Sequence, residues 1–119
     1  FKVMSSYFKF LQSPRFCRLD DIPPEKYGEW RAMRVIEKRS YKSDGTVLLP
    51  ASILETPLVT NEEILVYELC SGKLTIKQAV DRFCFERGIS QEDSDDILRR
   101  IFIPTLQKLE KGYQIVFHQ

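Results

Sequence analysis

The stretch from Thr60 to Phe117 constrains this chain most, because it spells three helices in succession and then a short strand, with explicit start and stop signals. Thr60 and Glu63 match a capping box, in which hydroxyl and carboxylate each take an orphan backbone N–H at a helix start. Ile64, Leu65 and Leu69 follow, and Gly72 is expected to stop the helix, since glycine enters the left-handed conformation cheaply. Thr75 and Gln78 repeat the start signal. Ile76, Ala79, Val80, Phe83 and Cys84 then recur on one helical face, up to Gly88. Ser90 and Asp93 open a third helix with Ile97, Leu98, Ile101 and Phe102 inward, ended by Gly112. Tyr113 to Phe117 reads as a strand. Pro104 lacks an N–H and crowds the carbonyl of Arg100, so the third helix is expected to kink or divide there.

Ahead of this unit the pattern changes. Met4, Tyr7, Phe8 and Leu11 stand at helical spacing before Pro14, in a segment where aromatic and basic residues interleave. Such a mixture suits either single-stranded nucleic acid, by stacking and charge, or a helix packing its aromatics on the body. Asp20 to Gly28, with Pro23 and Pro24, reads as a loop. Asp44-Gly45 is a strong hairpin signal, because a tight primed turn needs positive φ. Strands are expected near Met33 to Tyr41 and Thr46 to Leu49. Ala51 to Val59 is then an extended crossing with room for one short strand.

Composition enters as a set of exclusions. At 119 residues and 43% hydrophobic content, one domain with a modest core is expected, with 1–30 as a lead-in and 31–117 as the core. The net charge of +1 gives no global pull towards nucleic acid or anionic membrane. No apolar run approaches the ~18 residues of a membrane span, and Phe1 to Met4 do not read as a secretory signal. A chain opening on Phe1 is expected to be a processed form or a piece of a longer protein. Cys17, Cys70 and Cys84 are odd in number and widely spaced, which argues for free thiols in a reducing compartment and a cytoplasmic location. They lack the close pairing of a metal site, and no metal or cofactor is expected.

No catalytic constellation is read. The one histidine, His118, lies beside the end, and the glycines are isolated rather than gathered in a phosphate loop. Glu92, Asp93, Asp95 and Asp96 crowd the start of the third helix, where its dipole favours them. A helix-turn-helix reading would present these carboxylates to DNA phosphates, so the surface has the wrong sign for duplex binding.

The order of elements resembles the PqqD-like family, the recognition elements of ribosomally made, modified peptides. The resemblance rests on Leu58-Val59-Thr60, Ile64 to Leu69 with Cys70-Ser71-Gly72, Leu74-Thr75 and Ala79-Val80, then Ile97 to Leu109 with Gly112. It covers about residues 31 to 117. Departures are Thr60-Asn61 in place of an asparagine-led turn, Pro104 inside the third helix, and the unmatched first thirty residues. The resemblance implies an α+β, winged-helix-like fold: an N-terminal hairpin or small antiparallel sheet, three helices and a short C-terminal strand. It also implies a non-catalytic role, in which a leader peptide adds as a strand to the sheet edge and lies against the third helix. The first expected strand suits an acidic peptide, with Arg31, Arg34, Lys38, Arg39 and Lys42 against Glu37. The expected binding residues are Arg34, Lys38, Val47, Leu49, Ile97, Arg100 and Ile101. The implied partner is a peptide or protein, such as a leader peptide and its modifying enzyme. Two other roles fit the same fold: an accessory or homodimerising domain of a larger enzyme such as a methyltransferase or oxygenase, and a DNA-binding regulator.

Overall fold

The computed structural model describes residues 16–35, 40–41, 47–50, 55–58 and 60–119. The expected helix around Met4 to Leu11 and the Asp44-Gly45 turn lie outside them.

The chain is α+β. Two antiparallel sheets accompany the helices. The first has four strands in the order β1-β7-β2-β6: β1 (Phe16–Cys17), β2 (Arg31–Arg34), β6 (Ser71–Thr75) and β7 (Ile115–His118). The second is β3 (Ser40–Tyr41), β4 (Val47–Pro50) and β5 (Glu55–Leu58), in chain order. Ser40 faces Leu48 and Tyr41 faces Val47, so one end of the expected hairpin pairs, but its first strand, expected over Met33 to Tyr41, divides between β2 and β3 in different sheets; β5 supplies the short strand of the crossing.

The helices begin where their caps place them. Thr60 Oγ1 accepts the Glu63 N–H at 3.1 Å and Glu63 returns a carboxylate to the Thr60 N–H, opening α1 (Asn61–Leu69). Thr75 and Gln78 do the same at 3.1 and 2.9 Å for α2 (Ile76–Arg87). Gly88, at φ 66°, closes α2 with its N–H on Phe85 O and that of Ile89 on Cys84 O, the paired bonds of a Schellman motif.

One glycine acts otherwise than expected. Gly72 has φ 80°, but it lies inside β6, a strand not foreseen from the sequence, and α1 ends earlier at Cys70. An added Cβ at Gly72 would stand 2.9 Å from Met33 Cγ, so closeness to β2 also requires glycine. Gly112 ends the third helix as expected, though at φ −85°, and the left-handed residue that follows it is Tyr113, at φ 58°.

The third helix is not broken at Pro104. It runs as α3 (Ser94–Ile97), a π turn (Leu98–Phe102) and α4 (Ile103–Lys111), preceded by a 3-10 turn at Gln91–Asp93. The Ile103 N–H reaches Leu98 O, five residues back. One extra residue in the turn rotates the inward face by about 100°. Ile97 faces inward before the turn, Phe102 at its end, and Leu106 and Leu109 after it, while Leu98 and Ile101 pack partly buried within it. A run too apolar for one narrow stripe is resolved by this rotation.

The core joins both ends of the chain. Phe83 and Phe102 meet edge to face at 5.5 Å among Tyr67, Phe117 and Leu106. Leu19 and Ile22 are buried with them, so residues before Arg31 belong to the core. The Leu19 N–H donates to Glu110 Oε2 at 2.8 Å, holding the 3-10 turn Leu19–Asp21 against α4. Residues 24–29, expected as loop, form a 3-10 helix (Pro24–Glu29).

Candidate peptide-binding surfaces

The expected binding residues that the structure describes do not gather into one open surface. Arg34 is turned inward: its Nη1 donates to Tyr67 O at 2.9 Å and to Glu68 O at 2.8 Å, and its guanidinium carbon lies 5.5 Å from the Tyr67 ring centre. It supplies the α1 carboxyl end with the donor that a left-handed cap would have provided. Lys38 lies outside the described residues. Val47 and Leu49 belong to β4, whose two sides are taken by β3 and β5. Ile97 is buried, Ile101 is partly buried against the core, and Arg100 is exposed and paired with Asp96 at 2.7 Å.

The cationic strand is also enclosed. β2 is bordered by β7 along Arg31 to Arg34 and by β6 on its other side. A peptide cannot add to it, contrary to the expectation of an open flank there. The sheet is instead bounded by β6 and by the two residues of β1. β6 is blunted by its own irregularity: Met33 faces Ser71 while Arg31 faces Thr75, so the register shifts between them. At the bulge, Lys73 has its N–H on Ser71 Oγ at 3.2 Å and its carbonyl on Arg31 Nη1 at 2.7 Å. Such an edge offers little to an incoming strand.

β5 differs. Its four residues pair with β4 on one side, and among the described residues no strand borders the other. Buried Leu58 anchors its end beside α1. Pro57 withholds one backbone donor, which restrains edge-to-edge pairing of identical strands.

A second surface lies along the third helix. Gly28 packs the Pro24–Glu29 helix against the start of α2, with an added Cβ falling 3.2 Å from Lys77 Cβ, and the Ile76 N–H donates to Trp30 O at 2.7 Å. Between this wall and the third helix run two hollows that share Pro24, Asp95 and Leu98. One, of about 350 Å³, also takes Glu25, Asp81 and Lys77. The other, of about 460 Å³, takes Tyr27, Arg99 and Ile103. Sequence reading missed this surface because Pro24 and Tyr27 sit in what looks like loop.

A third cleft, about 640 Å³, lies between Arg18, Asp20, Gln107 and Lys111, with Glu110 at its inner side. Burial pushes the Glu110 carboxyl above its ordinary value, against the lowering effects of the Leu19 N–H and of Arg18. Its neighbour Lys108 is committed to Glu63.

The thiols are poor nucleophiles. Burial raises all three, Cys70 to about 12, and the Cys70 Sγ–H faces Val66 O at 3.2 Å. The His118 ring lies 5.7 Å from that of Phe16, with Nδ1 3.1 Å from Gln119 O. Among the described residues no group of three His, Cys, Asp or Glu side chains is placed to hold a metal. None of the described helices is long and apolar enough to cross a membrane. Glu92, Asp93 and Asp95 are exposed at the start of the third helix. No family model, curated protein or solved structure matches the chain.

Proposed function

We propose that this domain is a non-catalytic peptide- or protein-binding module. It holds an extended segment along the outer edge of β5, in the service of a peptide- or protein-modifying enzyme in the cytoplasm. The observation that carries the reading is the contrast between edges: β2 and β4 are enclosed, β6 is bulged and bonded to itself, β3 has only two residues, and among the described residues no strand borders the outer flank of the longer β5. Four residues at ~3.3 Å each give roughly 13 Å of edge, enough to fix the register of a short added strand. The raised thiols favour a role without covalent catalysis. The carboxylates exposed at the third helix weigh against the DNA-binding alternative.

The test is an N-methyl scan of a peptide selected for binding from a random library. Strand addition predicts that methylation abolishes binding at alternate positions, because only every second amide faces the edge. Equal sensitivity at consecutive positions refutes it.

One observation favours the accessory or dimerising reading: Phe85, on the outside of α2, is 82% exposed. Aromatic side chains are enriched where protein surfaces meet. Sedimentation equilibrium of the wild type and Phe85→Ser decides it. A dimer that Phe85→Ser dissociates supports the reading, and a wild-type monomer at all concentrations ends it.

A further inference from the structure

The surface between the Pro24–Glu29 helix and the third helix is graded in character. Its larger hollow is built on Pro24, Tyr27, Leu98 and Ile103, where Asp95 and Arg99 balance in charge. Its smaller hollow sets Glu25, Asp81 and Asp95 against Lys77 alone, beside Val80 and Ser94. Glu92 and Asp93 extend the same sign beyond it, and the nearby Arg100 is already paired with Asp96. The trough therefore has an acidic end and an apolar end.

We infer that this trough is a docking site for a segment of a partner polypeptide that carries a cationic side chain and a bulky apolar one. The cation is held by Asp81, Asp95 and Glu25, and the apolar side chain lies on Tyr27, Leu98 and Ile103. Asp95, common to both hollows, and Ile103, in the apolar one, set the distance between the two anchors. At ~1.5 Å rise per residue they stand about 12 Å apart along the helix. An extended chain covers that in roughly four residues, which sets the spacing of the two anchors. An acidic segment is disfavoured, because it would meet the carboxylates of the smaller hollow. The trough is a different surface from the β5 edge, and the inference stands without strand addition there.

The probe is a fluorescent synthetic peptide with arginine and phenylalanine four residues apart in a Gly-Ser background. Its counterparts replace the arginine by glutamate or the phenylalanine by alanine. Fluorescence anisotropy on the whole chain should show the arginine–phenylalanine peptide binding about fivefold more tightly than either, the size of one or two partly exposed charge contacts. The advantage over the glutamate peptide should shrink in high salt. In Asp95→Lys, at an exposed position, Glu25 and Asp81 are balanced by two lysines, so the preference should disappear; in the double variant Asp81→Lys/Asp95→Lys it should reverse so that the glutamate peptide binds better, a reversal that misfolding cannot produce. Amide shifts on titration should cluster at Pro24 to Glu29 and from Ser94 to Ile103. Equal affinity of the wild type for the arginine and glutamate peptides, or an unchanged preference in either variant, overturns the inference. Shifts at Glu55 to Leu58 alone also overturn it while sparing the strand-addition reading. Shifts at neither surface count against both.

Discussion

Arg34 offers the sharpest test of how this molecule is built, because its sequence suggests a ligand contact and its geometry a structural one. α1 has no left-handed cap, and the Tyr67 and Glu68 carbonyls at its end are met by one guanidinium, 2.9 and 2.8 Å away. A hydrogen bond to a charged donor contributes about 1.5–3 kcal/mol, and partial exposure puts this pair at the lower end. The contact with the Tyr67 face adds roughly 0.5–1 kcal/mol. Arg34→Met keeps most of the side-chain stem and removes both, so it should cost about 2–3 kcal/mol. For a domain of this size that is a fall of roughly 10 °C in Tm. Arg34→Lys keeps the charge without the planar fork and should lose about half as much. The assay is urea unfolding followed by circular dichroism. The midpoint should drop with an unchanged slope, since the surface exposed on unfolding stays the same. A Met variant as stable as the wild type refutes the capping role. If that same variant also failed to bind peptide, Arg34 would return as a contact residue.

Further outcomes follow from other positions. Gly72→Ala should cost about 2–3 kcal/mol, from the left-handed backbone and the approach to Met33. Gly88→Ala, with φ 66° but open space around it, should cost about 1 kcal/mol, so urea midpoints of the pair separate sterics from backbone. Burial raises the Glu110 carboxyl, so its ionisation weakens the fold: the associated stability is complete below its ordinary value of 4.5 and is lost as pH rises through the folded value. Glu110→Gln should therefore gain on the wild type in urea midpoint between pH 4.5 and 7, and a constant difference across that range would contradict the assignment. Cys70, buried with its thiol near 12, should resist iodoacetamide at pH 8 until urea unfolds the chain, while half-buried Cys17 reacts first; mass spectrometry of the labelled peptides reads the order.

What could be read from the residues was what neighbours in sequence decide. The capping boxes at Thr60 and Thr75 and the stop at Gly88 are local, and each stands where expected. The hairpin of β3 and β4 is local too. Distant partners were not legible. Nothing near Arg31 to Arg34 announces that Ile115 to His118 will lie along one side and Ser71 to Thr75 along the other, so an enclosed strand read as an open one. β6 was hidden because Gly72 has the backbone of a stop signal inside a strand. The π turn was hidden because Pro104 shows where an α-helical bond is missing but not how the chain compensates. Tyr113 takes the left-handed position beside a glycine that propensity favours for it. The candidate site inherited these errors: Arg34 and Ile97 were placed on an open surface, whereas the trough depends on Pro24 and Tyr27, whose fold is set by packing on α2.

The position of β2 has a consequence for biosynthesis. Its two bordering strands are made later, and the second of them closes against it only through residues as distant as His118. During translation one flank of this basic ribbon must wait, open, until the third helix has been made. Closure of a loop that long is slow, which opens an interval for a chaperone, or for the molecule's own partner, to occupy the vacant place first.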